Sequence, residues 1–440
     1  MNRVVHRWTS LPGTRFARDA EGHVWAVGAR RQRLGPAEPA LLAALRSLST
    51  EDGDGLLGLP APLDVLHGGG WLGVEVSCDG KPLLAEFPLG GVPLPAHVDP
   101  PRPPGPARLS RFAVLRRDGD VFVMESPRAR STVRIASAAV LDVVIDPDST
   151  ALPEPVRAAV LDRLAAAGFL GGPDEEADFR LRQWGPHELW FHARSRWGGG
   201  ASADPVGPST WARDVFAPLP SQHAAVPGES RIALAAPDRP ATALGALLDE
   251  RVSVRAHDDA RPLTLAVFGE FLHRCARVRR TMIYDDVEYT ARPYPSGGTA
   301  YELEIYPVVR LVEGLAPGLY RYEPHDHELV VLPGVDPGIC DELLRQAAVT
   351  AMAAEPPQVL LLVAARFGRM LWRYEGMGYA TTLKNVGALY QTMYLVATEM
   401  GLGPCALGNS DPRLLAQAAG LDPLVEGTVG EFLIGSRVRP

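Results

Sequence analysis

The sequence is poor in cysteine and contains no close cysteine pair. Its four cysteines, Cys78, Cys275, Cys340 and Cys405, are far apart, and no Cys-x-x-Cys occurs among the 440 residues. This spacing suggests neither a structural zinc site nor a disulfide framework. Scattered thiols suit a reducing compartment, so we expect a cytoplasmic protein without a bound metal.

Long apolar runs and an excess of positive charge are also missing. Apolar runs such as residues 359–365 are far too short to cross a bilayer. The opening residues MNRVVHRWTS lack the apolar core of a signal peptide. The net charge is −8, which argues against a nucleic-acid binder. We therefore expect neither a membrane nor a nucleic acid as a partner.

Glycine and proline, in contrast, are plentiful and concentrate in two stretches. The chain has 44 Gly and 41 Pro, and residues 93–108 and 196–230 are especially rich in them. Proline disrupts helix interiors and central strands, so these stretches are predicted to be linkers. They divide the chain into three predicted domains, 1–92, 109–195 and 242–440.

The first two domains are each predicted to be a small α+β unit. Residues 70–89 indicate two strands around Asp79-Gly80, and residues 110–127 indicate two strands around Asp118-Gly119. Helices are predicted in residues 36–49 and 152–171. A helix with a β-hairpin suits a winged-helix-like domain, and the acidic balance favours binding of a peptide or protein partner over DNA.

The third domain contains a loop with little side-chain bulk that runs into an apolar strand. Residues 290–309 read TARPYPSGGTAYELEIYPVV, with Pro295, Ser296, Gly297 and Gly298 at the bare part. Glycines let a backbone or a flat ligand come close, and prolines stiffen the approach. The loop alone fits both a ligand-binding loop and an ordinary tight turn.

Two further segments of the third domain stand out. Arg251, Ser253 and Arg255 alternate, so in an extended chain they point the same way and could bind a phosphate. A solvated, charged link is the alternative. Residues 383–400 are apolar nearly all round at helical spacing, and Gly401 follows. This pattern predicts a buried helix in a large core or a subunit interface.

Taken together, these segments resemble the SagB-type dehydrogenases, FMN-dependent oxidases of thiazole- and oxazole-forming peptide biosynthesis within the nitroreductase-like superfamily. The resemblance is carried by RVSVR, RPYPSGG, EGLAPGLYRYEPHDHEL, ARFGRMLWRYEGMGY and GLGPCALGNSD, whose order and spacing match across essentially all of the third domain. LSRFAVLRRDGDVFVMESP and HELWFHARSRWG match more loosely the N-terminal region that some members carry.

The resemblance implies an α+β fold: a nitroreductase-like FMN domain, with a mixed sheet flanked by helices, preceded by the two winged-helix-like domains. It implies a homodimer around the long central helix, with FMN at the interface. Carried over by residue, it assigns the FMN phosphate and ribityl chain to Arg251, Ser253 and Arg255, the isoalloxazine ring to Pro295, Ser296, Gly297 and Gly298, and further phosphate contacts to Gly408 and Arg437.

The resemblance also implies the reaction and its partners. A separate cyclodehydratase makes azoline rings in a precursor peptide that carries a leader, and the dehydrogenase oxidises them to azoles. Hydride passes from the ring to the flavin, a base takes a proton, and dioxygen is the expected final acceptor.

The sequence departs from the family where the base is expected. Many members have a Lys-Tyr pair, whereas this chain has Arg373 and Tyr374. Arginine does not deprotonate at ordinary pH, and a tyrosine needs a positive charge nearby to act as a base. Lys384 is a substitute candidate. The alternative is that Arg373 and Tyr374 only pack or contact substrate.

Two other functions remain open at this point. A small-molecule flavin reductase with a nicotinamide donor would not need the long N-terminal region, and a non-catalytic scaffold would fit the missing lysine. His325 and His327 have a spacing that could suit a metal, but the resemblance favours a hairpin turn. Trp184, Trp190 and Trp197 are expected to pack in a core or a domain interface rather than to form a stacking platform.

Overall fold

The computed structural model describes residues 3–28, 31–48, 59, 61–89, 93–94, 108–172, 174–195, 215–216, 221, 234 and 242–438. Most positions of the two predicted linkers, and Trp197, lie outside these residues. The chain forms two compact units. Unit 1 comprises Met1–Ala203 and Leu371–Tyr379, and unit 2 comprises Asp204–Met370 and Ala380–Pro440. None of the helices in the described part of the chain is long and apolar enough to span a membrane.

Unit 1 contains seven helices and eleven strands among its described residues. The helices are α1 (Pro39–Ser47), α2 (Asp64–Gly68), α3 (Ala138–Ile145), α4 (Glu154–Ala166), α5 (Asp174–Ala177), α6 (Phe179–Arg182) and α7 (Pro186–Arg194). The strands are β1 (Val4–Ser10), β2 (Arg15–Arg18), β3 (His23–Val27), β4 (Arg31–Pro36), β5 (Leu72–Cys78), β6 (Lys81–Pro88), β7 (Arg108–Leu109), β8 (Val114–Asp118), β9 (Val121–Glu125), β10 (Ser131–Ile135) and β11 (Leu170–Gly171).

The main sheet of unit 1 has six antiparallel strands in the order β1-β5-β6-β10-β9-β8. The turn between β5 and β6 is Asp79-Gly80, with φ values of 46° and 77°, and β8 and β9 join at Gly119, with φ 60°. Both hairpins are confirmed, because glycine and aspartate tolerate the left-handed backbone that tight turns require. The second turn is one residue later than predicted, because Asp118 pairs with Val121 and leaves Gly119 and Asp120 as the turn residues.

The sheet of unit 1 runs through both predicted N-terminal domains. One apolar cluster is built from residues 8–94 and a second from residues 76–170, so each predicted domain contributes most of one cluster. Strands from both are nevertheless hydrogen-bonded in one sheet. The domain boundaries and the winged-helix-like character of the two parts stay predictions.

Unit 2 contains the remaining elements. Its strands are β12 (Leu263–Thr264), β13 (Arg280–Tyr284), β14 (Val287–Ala291), β15 (Leu303–Val309), β16 (Val312–Glu313), β17 (Gly318–Glu323), β18 (Glu328–Val331), β19 (Val359–Arg366), β20 (Leu402–Leu407) and β21 (Glu426–Ser436). The helices are α8 (Ala243–Glu250), α9 (Leu265–Ala276), α10 (Pro337–Ala351), α11 (Phe367–Leu371), α12 (Gly378–Glu399) and α13 (Pro412–Ala419). The last residue of α11 and the first two of α12 group with unit 1.

The main sheet of unit 2 has the order β18-β17-β15-β19-β21-β20. All of its strand pairs are antiparallel, and the parallel pairing of this unit lies in a separate two-stranded sheet of β12 and β16. The α+β class is confirmed. A sheet with both parallel and antiparallel pairs was predicted, whereas the main sheet is entirely antiparallel. Strand β15 is buried along its whole length, as expected for a strand behind the bare loop.

Several local predictions in unit 2 are confirmed. Helix α12 ends before Gly401, whose φ is 68°, and buries Leu389, Met393 and Ala397 completely. His325 and His327 lie in the β17–β18 hairpin. The sequence analysis missed the exposed β13–β14 hairpin, whose turn residues Asp285 and Asp286 have positive φ values.

Candidate functional site

The basic segment 251–255 is held against strand β20. Its residues have no regular secondary structure, and the Val254 N–H donates to the Pro404 carbonyl at 2.7 Å. The Arg251 guanidinium lies 5.1 Å from the centroid of the Tyr394 ring, and the Ser253 hydroxyl is 2.8 Å from the Tyr394 hydroxyl. Arg251 and Ser253 therefore face the same way, as their alternation predicted.

Tyr394 of α12 contacts this basic segment and was not predicted from the sequence. Its hydroxyl accepts a hydrogen bond from the Ala406 N–H at 2.8 Å in addition to its contact with Ser253. Burial raises the pKa of the neighbouring Cys405 thiol, and the positive charge of Arg255 acts in the opposite direction. The only sequence signal for it was a hydroxyl on a largely apolar helix, which also has several other hydroxyl residues.

The bare loop needs its glycines for its own geometry. Gly298 has φ 57°, a left-handed conformation that favours glycine, inside the short 3-10 turn Gly297–Thr299. A Cβ atom on Gly297 would collide with the methyl group of Thr381 on α12. Close approach of a helix therefore explains part of the bareness, beside any ligand. Pro295 and Gly298 are exposed, while Ser296 and Gly297 are half-buried.

A buried polar network fixes this loop to α12. The Asn385 side chain accepts from the Gly297 N–H at 3.0 Å and donates to the Glu302 carboxylate at 2.9 Å. The Ser296 hydroxyl donates to Glu302 at 3.3 Å and accepts from the Tyr301 N–H at 3.0 Å. Glu302 is completely buried. The sequence analysis missed Asn385 and Glu302, because it expected the helix to be buried through apolar contacts.

Gly408 and Arg437 are both exposed in unit 2. A Cβ on Gly408 would meet no atom within 4 Å in the described part of the chain, so packing there gives no reason for glycine. Arg437 pairs through its backbone with His257. The His257 ring accepts from the Gln358 N–H at 3.2 Å and donates to the Gly403 carbonyl at 3.0 Å. Burial lowers the pKa of His257, so the neutral ring is the form that fits.

The three candidate catalytic residues do not lie in one unit. Arg373 and Tyr374 follow α11 in a half-buried turn of unit 1. Lys384 is exposed on α12 in unit 2. The sequence placed all three in one domain, because it gave no sign that Leu371–Tyr379 packs with the N-terminal region.

A cluster of possible metal ligands occurs at one turn in unit 1. Among the described residues, Asp19, Glu21 and His23 have ligand atoms within 4.8 Å of one another. Asp19 accepts backbone hydrogen bonds of the turn, and the Arg33 guanidinium lies 2.5 Å from the His23 ring. A cation beside an arginine is disfavoured, so the cluster is explained as turn structure.

The residues of unit 2 fit FMN. A phosphate requires cationic or hydroxyl donors, which Arg251, Ser253 and Arg255 supply on one segment. A flat ring requires backbone with little side-chain bulk, which Pro295–Gly298 supply. A Cβ atom on Gly408 would have no neighbour within 4 Å among the described residues, which leaves space for a ligand there.

Comparison with known proteins supports this fit. Residues 248–436 match the sequence model of the Nitroreductase family, and residues 107–200 match that of the cyanobactin oxidase ThcOx. The chain is 33% identical over 172 residues to the MJ1384 protein of Methanocaldococcus jannaschii, named as a nitroreductase, covering 39% of this chain and 81% of that protein. It is 29% identical over 139 residues to the microcin B17-processing protein McbC of Escherichia coli, covering 30% of this chain and 49% of McbC.

Solved structures give weaker similarity. A chain of the Escherichia coli microcin synthetase McbBCD complex with truncated pro-MccB17 bound matches with TM-score 0.44 and 18% identity, over 59% of this chain and 97% of that chain. A protein of Ralstonia eutropha named as a nitroreductase matches with TM-score 0.36 and 25% identity, over 51% of this chain and 98% of that chain. Family membership rests on the sequence matches.

The chain belongs to the nitroreductase family and is an FMN-dependent oxidoreductase. Within the superfamily it is of the SagB/McbC type, because the ThcOx match and the McbC relative accompany the nitroreductase match in one chain. The resemblance stated from the sequence is confirmed.

Proposed function

We propose that the protein oxidises azoline rings of a ribosomally made peptide to thiazoles or oxazoles, in the biosynthesis of a modified peptide natural product. One observation carries the substrate class: the ThcOx match at 107–200 and the Nitroreductase match at 248–436 occur in the same chain. The relative McbC is named for the processing of microcin B17, which supports a peptide substrate.

The proposed reaction removes two hydrogens from each ring. One ring carbon loses a proton to a base, its neighbour loses a hydride, and a double bond forms between them. When bound, FMN supplies the hydride acceptor. Dioxygen is the proposed final oxidant, which takes up the two electrons with two protons as hydrogen peroxide.

Unit 2 would bind the cofactor through the residues that the resemblance assigns to FMN. Arg251 and Arg255 would pair with phosphate oxygens, and the Ser253 hydroxyl, fixed by Tyr394, would donate to the phosphate or ribityl chain. Further phosphate contacts are proposed for Gly408 and Arg437. The bare loop, residues 295–298, would lie against the ring system, where its network with α12 keeps it in place.

Tyr374 is the proposed base. Arginine stays protonated at ordinary pH, so the adjacent Arg373 cannot itself accept the proton. Lys384 is the second candidate. If Tyr374 is the base, Tyr374→Phe lowers turnover roughly 100-fold while flavin stays bound. A Lys384→Met variant that alone abolishes turnover would transfer the role to Lys384.

The proposal includes partners. The substrate is a precursor peptide with a leader, and a cyclodehydratase must supply its azoline rings, because this chain only oxidises them. The solved McbBCD complex contains truncated pro-MccB17. A homodimer around α12 and a cytoplasmic location complete the proposal.

The function is tested by mixing FMN-loaded protein with an azoline-containing peptide without oxygen. The yellow flavin absorption should bleach, and it should return when air is admitted. Flavin that stays oxidised in the presence of bound peptide would contradict the proposal. Arg255→Ala should lower FMN occupancy, whereas full occupancy would remove Arg255 from the phosphate site.

A second function has one specific observation in its favour, the similarity to the MJ1384 protein named as a nitroreductase. Under this alternative the protein reduces small nitroarenes or quinones with a nicotinamide donor. NADPH consumption with a nitroarene, and no bleaching by the peptide, would favour it.

A further inference from the structure

The segment Leu371–Tyr379 packs against residues that are distant from it in sequence. It lies between Met370 and Ala380 of unit 2 but belongs to unit 1. Its hydrogen-bond partners on and near α7 are 187 to 193 residues away. Tertiary contacts therefore determine the conformation of the segment that carries Arg373 and Tyr374.

Glu188 of α7 joins the beginnings of two helices. One oxygen of its carboxylate accepts from the Gly185 N–H at the start of α7, at 3.2 Å. The other accepts from the N–H of Tyr379, the second residue of α12, at 2.9 Å. Amides in the first turn of a helix lack intrahelical acceptors, and the helix dipole favours a negative charge there. Glu188 and Tyr379 are both buried, so the bond between them is shielded from water.

His192, one turn further along α7, makes the second contact. Its Nδ1 atom is 3.0 Å from the Tyr379 hydroxyl, and both residues are buried. The fully buried Trp184 stacks on the His192 ring with 5.6 Å between ring centroids. Tyr379 is thus held at its backbone by Glu188 and at its hydroxyl by His192.

The outer contacts of the segment are weaker. The His187 ring lies 3.1 Å from the Gly376 carbonyl, and Arg182 lies 3.3 Å from Glu375. These groups are exposed, and exposed ion pairs contribute about 0–1 kcal/mol. Among these contacts, the buried ones of Tyr379 are therefore expected to contribute most to the attachment.

We propose that Glu188 and His192 are positioning residues for the reaction: by fixing Tyr379, they hold the preceding turn with Arg373 and Tyr374 in one conformation. The proposal rests on the proposed function. A base acts only within hydrogen-bond reach of its proton, and a misplacement of about 1 Å costs up to roughly 100-fold in rate. A surface turn without buried anchors opens readily. The motif HELWFHAR, which contains both residues, would therefore have a positioning role.

The test combines amide hydrogen exchange of residues 371–379 with steady-state kinetics of the full-length, FMN-loaded protein. Glu188→Ala removes both acceptors, Glu188→Gln keeps one acceptor for two donors, and Tyr379→Phe removes the hydroxyl that contacts His192. Tyr320→Phe is the matched control, because it loses a single 2.7 Å hydrogen bond to the Ala316 carbonyl in unit 2.

Glu188→Ala should speed exchange of the segment by about tenfold or more and lower kcat roughly 10- to 100-fold, with KM and flavin content unchanged. Glu188→Gln and Tyr379→Phe should fall between this variant and wild type, and Tyr320→Phe should match wild type in both measurements.

Two results would overturn the positioning role: exchange in 371–379 that stays at the wild-type rate in Glu188→Ala, or faster exchange with unchanged kcat. A wild-type protein that binds flavin and peptide without oxidising the azoline would instead overturn the proposed function, and the exchange data would then show only whether the contact exists.

Discussion

The two units bury charged side chains in different ways. In unit 1, Glu86 of β6 and Arg163 of α4 form an ion pair in which both side chains are 4% exposed. In unit 2, the buried carboxylate Glu302 is bonded to the neutral side chains of Asn385 and Ser296. The first arrangement ties a helix to a sheet. The second ties a loop to a helix.

We expect the ion pair to matter mainly for the stability of the fold, and the Glu302 network to matter mainly for the loop that is proposed to contact the flavin. A buried ion pair that loses one partner leaves an uncompensated charge, so its disruption mainly destabilises the fold. When one neutral donor of the network is removed, the other donor to Glu302 remains, so we expect a smaller loss of stability than for the ion pair. Loss of the network instead releases the loop that is proposed to contact the flavin. Variants of the ion pair and of the network test this difference.

The largest effect is expected for Arg163→Met. Glu86 would remain buried without its counter-ion, so unfolding of unit 1 should become easier by about 3–5 kcal/mol. Urea unfolding followed by tryptophan fluorescence measures this, because Trp8, Trp71 and Trp184 are buried in unit 1. The double variant Glu86→Leu/Arg163→Met should regain most of the loss. A single variant as stable as wild type would contradict this account of the pair.

The next effect is expected for Asn385→Ala in unit 2. It removes the acceptor for the Gly297 N–H and a donor to Glu302. We expect FMN affinity to fall about tenfold or more, with a stability loss of about 1–3 kcal/mol. Fluorescence titration with FMN measures the affinity.

A matched control for this variant lies on the same helix. Thr392→Ala removes one hydrogen bond to the Ala388 carbonyl and should leave FMN affinity unchanged. Equal affinities of Asn385→Ala and wild type would show that the loop does not depend on the network.

A smaller effect is expected for Tyr394→Phe. The ring under Arg251 is kept, but the hydroxyl that contacts Ser253 and accepts from Ala406 is lost. One or two hydrogen bonds correspond to about 1–2 kcal/mol, or roughly a 5- to 30-fold weaker FMN affinity if all of it is expressed in binding. Isothermal titration with FMN measures it. Unchanged affinity would exclude Tyr394 from organising the phosphate segment.

The smallest effect is expected for pH. Burial lowers the pKa of His257 in the folded protein from its ordinary value of 6.5. Below pH 6.5 the unfolded chain therefore binds more protons than the folded one, and stability should fall as the pH drops from 6.5 towards the folded pKa. Thermal unfolding between pH 7 and 5 measures this slope. His257→Gln should flatten the slope, and an unchanged slope would assign it to other groups, such as His6 or His327, whose pKa values are also lowered by burial.

Much of the fold follows from local sequence signals. Asp79-Gly80 predicts its hairpin because few other residues accept the turn's backbone, and Gly401 predicts the end of α12 for the same reason. The alternation of Arg251 and Ser253 predicts that they share a side. These signals depend on neighbours in sequence, so the sequence contains them in full.

The remaining features depend on contacts between distant residues. In the sequence, Asn385 is one polar position on an apolar helix. Only the structure shows that its side chain accepts a hydrogen bond from the Gly297 N–H of the loop. In the sequence, Tyr379 lies within the predicted flavin domain. Only the structure shows its hydrogen bonds to Glu188 and His192 of unit 1. Local periodicity does not encode such pairings between distant residues, so the sequence does not predict them.

The most direct test of the central claim is the mass of an azoline-containing peptide after incubation in air with the purified, FMN-loaded protein. We expect a loss of two hydrogens for each ring that is converted. A peptide that binds to the flavin-loaded protein and keeps its mass would contradict it.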